Sequence, residues 1–271
     1  MFPNVIDTIR VEKSVLLYSR GMLFDIFPYF AHNIKDKFAY SIDISLVLYY
    51  NLRENNGGKV MRPFNYSKIK EEKWDSEILG LIAAIYKFAG KQELYLKQRP
   101  DELEKLVEIA KIQSTEASNA IEGIVTTNTR IKQLVEEKTT PRNRDEQEIA
   151  GYRDVLNVIH ESFDAIPITQ NYILQLHKML YSHMNNPLAG RTKSVQNYIS
   201  AAYPDGHTEI LFTPLAPYET SESLDRICEE YNRVIGNLEV EPLIIIPIFI
   251  HDFLCIHPFN DGNGRMSRLL T

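Results

Sequence analysis

The stretch from Pro242 to Thr271 leaves this chain few ways to fold. Behind Pro242, a residue favoured at the first position of a helix, Leu243, Ile246, Ile250, Phe253 and Leu254 recur at three- and four-residue steps, which predicts a helix over 242–256 with those residues facing inward. Pro247 should bend or delay it. The run is too short, and too interrupted by His251 and Asp252, to span a bilayer. Pro258 disfavours helical geometry at the residue before it, so the helix ends at His257. The loop that follows carries Gly262 and Gly264 around Asn263. Glycine tolerates the positive backbone angles that turn successive N–H groups into one concavity, a nest for an anion. Leu269 and Leu270 then belong to a second helix starting near Gly264. A helix end, a tight loop and a helix start are thereby forced together.

The side chains of this segment point to phosphate chemistry. Arg265 and Arg268 are three apart and rise from one side of the second helix, whose N-terminus already favours negative charge. Two arginines suit a polyphosphate better than a lone carboxylate, because each grips phosphate oxygens bidentately. Asp261 is placed as a carboxylate that holds Mg²⁺ beside bound phosphates, whose oxygens supply other ligands. His257 faces the same place, and an imidazole with an ordinary pKa of about 6.5 accepts a proton from an attacking hydroxyl at neutral pH.

The run His257-Pro258-Phe259-Asn260-Asp261-Gly262-Asn263-Gly264-Arg265, followed after two intervening residues by Arg268, resembles the motif of Fic-domain proteins and matches it at every fixed position. The resemblance implies a mainly α fold, a Fic-type helical core with a β-hairpin flap and a small N-terminal lobe. It implies an enzyme that transfers AMP from ATP to a Tyr, Thr or Ser hydroxyl of a protein substrate and releases pyrophosphate. By matching position, His257 deprotonates the hydroxyl, Asp261 holds Mg²⁺, and Gly262, Asn263 and Gly264 form the nest. Arg265 then holds phosphates and Arg268 grips the γ-phosphate.

Upstream, Leu103, Leu106, Val107, Ala110, Ala117 and Ile121 mark a long helix that begins after Pro100 and stops at Gly123. Ser118 and Glu122 share one of its faces, and a carboxylate at a helix C-terminus asks for a cationic partner. Ser118-Asn119-Ala120-Ile121-Glu122-Gly123 resembles the inhibitory helix of Fic proteins, here over about 101–123. In that scheme Glu122 pairs with Arg268, so ATP binds with its α-phosphate misaligned. Asn197 to Phe212, with Pro204-Asp205-Gly206 as turn chemistry between β-branched and aromatic runs, predicts a hairpin. The resemblance makes it a flap, over about 197–212, whose strand edge aligns an extended protein substrate.

Other helices are predicted from Asp75 to Gly90, after Asn143 in a capping-box-like setting with Ile149, Val155, Leu156, Ile159 and Phe163 inward, after Thr169, and from Thr220 to Gly236. Lys138 to Arg144 reads as a surface connection, and Ile42–Tyr50 with Asn55-Asn56-Gly57-Gly58 as a short hairpin. Residues 1–75 are assigned to the N-terminal lobe and 76–271 to the Fic domain, whose C-terminal part is expected to be truncated, because Fic domains normally continue past such a motif.

A net charge of −6 argues against a general nucleic-acid binder. Met1-Phe2-Pro3-Asn4 opens no charged-then-apolar leader, and two cysteines, Cys228 and Cys255, on apolar helix faces fit a reducing cytoplasm. Three activities stay open: a Mg²⁺-dependent protein adenylyltransferase inhibited by its own Glu122 and able to modify itself, an enzyme that removes AMP with Glu122 aligning water, and a non-catalytic ATP-responsive switch. A homodimer whose interface holds the inhibitory helix is a further expectation from the resemblance.

Overall fold

The computed structural model describes residues 64–98, 100–203 and 206–271. They fall into two compact units, one from Glu71 to Pro141, the other joining the segment that ends at Lys70 to Arg142–Thr271. Among these residues the protein is mainly α with one two-stranded antiparallel sheet, and no helix is long and apolar enough to cross a membrane. The hairpin expected near Ile42–Tyr50 and Asn55–Gly58 lies outside the described residues.

In the first unit, α1 (Ser76–Gln98) is capped by Asp75, whose Oδ1 accepts from the Ile78 N–H at 2.8 Å. It runs past the stop predicted at Gly90. A mid-helix glycine costs only about 1 kcal/mol, and the good helix formers from Lys91 to Gln98 outweigh it. The next helix, α2 (Pro100–Ile121), closes as expected on Gly123 at φ +75°. The Ile124 N–H donates to the Asn119 carbonyl and the Gly123 N–H to that of Ala120, both at 3.0 Å, a Schellman motif. Its apolar spacing does not turn inward throughout: Leu106, Val107, Ala117 and Ile121 are exposed, while Thr115, Ser118 and Asn119 are buried. Asn119 tolerates burial because its Nδ2 donates to the Thr115 carbonyl at 2.8 Å. Thr127 then caps α3 (Asn128–Val135), which packs on α2 and buries Ile131, Leu134 and Val135.

The second unit is built on α4 (Arg144–Ser162), α5 (Gln170–Leu180), α6 (Pro217–Gly236), α7 (Pro242–Ile256) and α8 (Asn263–Leu270). As predicted, Asn143 opens α4, its Oδ1 accepting from the Glu146 N–H at 2.9 Å, while Glu146 reaches back to the Arg142 N–H at 2.8 Å. Ile149, Val155 and Leu156 are buried and Ile159 is half-buried, but Phe163 is 72% exposed, because the helix ends one residue before it. Thr169 caps α5. For α6 the predicted start at Thr220 is wrong by one turn: Pro217 sets the first turn, and the Thr220 hydroxyl, inside it, donates to the Ala216 carbonyl at 2.9 Å.

Helix α7 has its predicted bounds and is continuous through Pro247, so the expected delay is absent. Its buried face is Ile245, Ile248, Phe249, Asp252, Phe253 and Ile256, whereas Leu243, Ile246, Ile250 and Leu254 are half-buried. The helix is apolar nearly all round, so spacing could not choose its face. A tertiary contact coincides with the choice: the Tyr66 hydroxyl donates to Asp252 Oδ2 at 3.0 Å. Helices α4 and α5 meet at Gly151, where an added Cβ would lie 2.0 Å from the Leu180 carbonyl oxygen. The predicted hairpin forms from β1 (Ile199–Ala202) and β2 (Thr208–Phe212), with an irregularity between Ile199 and Ser200.

Candidate active site

Helix α7 ends at His257, which takes the left-handed conformation, φ 51° and ψ 63°, and donates its N–H to the Phe253 carbonyl at 2.9 Å. A non-glycine residue pays steric energy there, of order 1–2 kcal/mol, so surrounding contacts must hold it. Burial, and then the Lys193 ammonium, press the imidazole down to about 4, with the Leu254 carbonyl opposing. The ring is therefore neutral at pH 7, as a base must be, yet more weakly basic than an ordinary histidine.

The loop beyond it is stapled by Asn263. Its Oδ1 accepts from the Phe259 N–H at 2.9 Å and its Nδ2 donates to the Phe259 carbonyl at 2.7 Å. The asparagine side chain thus organises the loop, and only its backbone is left for the expected nest. Gly262 begins α8 at φ +81°, with no side chain to cap the helix. A Cβ there would stand 2.9 Å from the Tyr181 hydroxyl, so glycine is required by both angle and space. Asp261 is exposed, with Oδ1 accepting from the Gly262 N–H at 2.7 Å. One exposed carboxylate suits a Mg²⁺ ion that arrives with phosphates and keeps several waters; among the described residues no cluster of three metal-binding side chains is present.

The two arginines of α8 differ. Arg265 is 1% exposed, with Nη1 2.7 Å from Glu148 Oε2 and Nη2 donating to the Tyr181 hydroxyl at 3.0 Å. The Glu148 contact is close but lies outside hydrogen-bond angles, and Nε has no acceptor among the described residues. Asp261 Oδ2 stands 3.8 Å from Nη2. Arg265 therefore ties α8 to α4 and α5. Arg268 is also buried, and desolvation pushes its guanidinium down to about 9, still charged at neutral pH.

Three further side chains hold the loop. His177 of α5 is buried and stacks on Phe259, ring centroids 3.7 Å apart at 4°. Its Nδ1 accepts from the Gly190 N–H at 2.9 Å, which leaves Nε2 to donate to the Asp261 carbonyl at 3.1 Å. Burial lowers its pKa to about 4. Lys193 and Asn197, ahead of the hairpin, bond the backbone from Ile256 to Phe259. Sequence reasoning missed His177, Glu148, Tyr181 and Lys193, because none sits in a local pattern, and it read Asn197 only as the start of the hairpin. For Lys193 and Asn197 a signal was available in Gly190, whose φ of +72° marks a tight turn just before them.

The structure thus gathers His257, Asp261, Gly262, Asn263, Gly264, Arg265 and Arg268 in the second unit. In the first unit Ser118 lies in the last turn of α2 and is buried, and Glu122 follows directly after the helix and is exposed.

A family model described as Fic/DOC matches residues 167–271, from just before α5 through α8. The chain carries a Fic domain. It is 28% identical over 178 residues to the protein adenylyltransferase Fic of Nematostella vectensis, covering 62% of this chain and 38% of that protein. To protein adenylyltransferase fic-1 of Caenorhabditis elegans it is 28% identical over 132 residues, 47% of this chain and 23% of the other. The chain spans well under half the length of these relatives. A Fic domain containing signaling protein from Bacteroides thetaiotaomicron superposes with a TM-score of 0.55 at 25% identity, covering 64% of each chain. A Fic family protein from Desulfovibrio desulfuricans shares the fold, with a TM-score of 0.58 at 22% identity over 73% of this chain and 57% of that one. The Fic domain's mainly helical fold agrees with the expectation from the motif.

Proposed function

We propose that this protein is a Mg²⁺-dependent protein adenylyltransferase restrained by Glu122. One observation carries the reading: a neutral, left-handed His257 and the uncapped, glycine-started N-terminus of α8 flank a single stapled loop, with the buried cation Arg268 on the same helix. A target hydroxyl gives its proton to the His257 imidazole as its oxygen bonds to the α-phosphorus of ATP. The bond from that phosphorus to the bridging oxygen breaks, and pyrophosphate leaves. Arg268 and the N-terminal turn of α8 take the phosphate charge. Asp261 would hold Mg²⁺, which when bound neutralises phosphate oxygens. Arg265, enclosed by Glu148 and Tyr181, keeps α8 in place.

The hairpin over 197–212 presents the protein substrate along a strand edge. Within the proposed division into a lobe over 1–75 and a Fic domain over 76–271, Ser118 and Glu122 act from the inhibitory helix, Glu122 by pairing with Arg268. If pairing is worth ~1–3 kcal/mol, its loss raises the competent population by roughly 5–150-fold. Support comes from the motif geometry and from relatives named protein adenylyltransferase.

The test is mass spectrometry of the full chain after incubation with ATP and Mg²⁺, for wild type, Glu122→Gly, and Glu122→Gly with His257→Ala. AMP adducts on the chain itself are expected chiefly in the single variant, and the added His257→Ala should lower transfer about 10²–10⁴-fold. Removal of AMP from a modified protein by wild type, lost in Glu122→Gly, would favour the reverse reaction instead. ATP binding with no transfer or removal in any sample would favour a switch.

A further inference from the structure

The backbone on both sides of His257 is held from outside its own segment. Lys193 Nζ donates to the Ile256 carbonyl at 2.9 Å, and the Lys193 N–H donates to the Pro258 carbonyl at 2.8 Å. Asn197 Nδ2 donates to the Phe259 carbonyl at 3.0 Å and, more weakly, to the His257 carbonyl at 3.4 Å. The two side chains are joined, since Lys193 Nζ also donates to Asn197 Oδ1 at 2.9 Å. The carbonyls of Ile256, His257, Pro258 and Phe259 thus all end on one short segment.

That segment is the foot of the hairpin. Gln196 Nε2 donates to the Pro214 carbonyl at 3.0 Å, bridging the two legs, and the Leu215 N–H of the outgoing leg reaches the Cys255 carbonyl at 3.4 Å. Lys193 is 2% exposed. A buried ammonium is tolerated only where acceptors replace its water, and the last carbonyls of a helix are also the negative end of its dipole. An apolar chain of similar length would fill the volume without that cost, but it could not hold the carbonyls. The left-handed turn at His257 is the strained point these bonds surround.

We propose that Lys193, acting with Asn197, is the positioning residue of this site: from the foot of the hairpin it fixes the backbone on which the His257 imidazole is carried. Its positive charge, set beside the ring, also opposes protonation of the base. Lys193 touches no reacting atom and acts through His257.

The inference is tested in the full chain with Lys193→Met, Lys193→Arg and Asn197→Asp. The His257 imidazole is titrated by NMR without nucleotide, and transfer kinetics are measured in the Glu122→Gly background. Lys193→Met should move the His257 pKa up from about 4, with burial, the larger cause, still holding it below the ordinary 6.5, and Lys193→Arg should keep it low. A displaced base should lower kcat about 10²-fold in Lys193→Met with the KM for ATP moved less than ~3-fold, and arginine should recover most of the loss. Asn197→Asp keeps the acceptor for Lys193 but loses the donor to Phe259 and His257, so kcat should fall there too. It serves as the decisive variant if Lys193→Met does not fold. An unchanged imidazole titration together with kcat within ~3-fold of the parent, in whichever variant folds, would overturn the inference. The kinetic half rests on the transfer reading. If Glu122→Gly transfers no AMP, that reading fails by itself, and the titration still decides whether Lys193 governs His257.

Discussion

Arg265 offers the sharpest discrimination between two roles for one residue. The motif resemblance makes it a phosphate ligand, whereas its guanidinium is 1% exposed and its Nη1 lies 2.7 Å from Glu148 Oε2, a carboxylate that is 5% exposed. Removing one partner of a buried ion pair costs about 3–5 kcal/mol, the lower end being expected for loss of Arg265, since Glu148 Oε1 keeps the Arg144 Nε donor at 3.0 Å. For a chain of this size each kcal/mol moves the melting midpoint by roughly 2–4 °C, so Glu148→Met or Arg265→Met alone should lower it by about 6–20 °C. Replacing both removes the two charges together. The double variant should recover at least ~1 kcal/mol relative to the sum of the single changes, the coupling expected of contacting residues. Urea unfolding followed by circular dichroism gives the four free energies of the cycle, and calorimetry with ATP gives affinities at a temperature where all four are folded. The reasoning is wrong if Arg265→Met unfolds within ~1 kcal/mol of wild type while ATP affinity collapses, because Arg265 would then be spending its charge on ligand rather than on Glu148.

Two other outcomes follow from packing and burial. Gly151→Ala places a Cβ 2.0 Å from the Leu180 carbonyl, so α4 and α5 must part; a loss of about 3 kcal/mol in urea unfolding is expected, and an unchanged midpoint would show that the helices slide apart freely. His177 and His257 are held neutral by burial, both down to about 4. Between there and an ordinary 6.5 the unfolded chain binds more protons than the folded one, so their contribution is present above pH 6.5 and is lost as pH falls towards 4. The contributions of Glu136, Glu230 and Glu239, held low chiefly by Lys138, Arg233 and Asn237 respectively, are present above their ordinary 4.5 and are lost only below it. His251 acts in the opposite sense, since its desolvation by burial is outweighed by Asp252 and Cys255 together, which hold it up at about 10. Urea unfolding at pH 7.5 and about pH 5 in a His251→Gln background therefore isolates His177 and His257, and a flat profile there would contradict their buried, neutral state.

Where a helix signal acts on backbone groups a few residues away, the sequence was legible. Asp75, Asn143 and Thr169 cap the helices they were expected to cap, and Gly123 closes α2 with a left-handed residue. Where two local signals competed, it misled: Gly90 lost to strong helix formers behind it, and Thr220 lost to Pro217. In α7, apolar side chains surround the helix, so no period could select the face that came to be buried.

The same division runs through the site. His257, Asp261, Gly262, Asn263, Gly264, Arg265 and Arg268 lie in one contiguous stretch whose turn is dictated by proline and glycine, so the sequence by itself determined that they converge on one loop. It could not determine that Arg265 is set against Glu148, that Asn263 spends its side chain on Phe259, or how basic the imidazole is. Those properties depend on desolvation and on partners brought in by α4, α5 and the foot of the hairpin: Glu148, His177, Tyr181, Lys193 and Asn197. Charge and hydrogen-bonding energies are set by what lies within a few ångströms in space, and only the tertiary structure decided those neighbours.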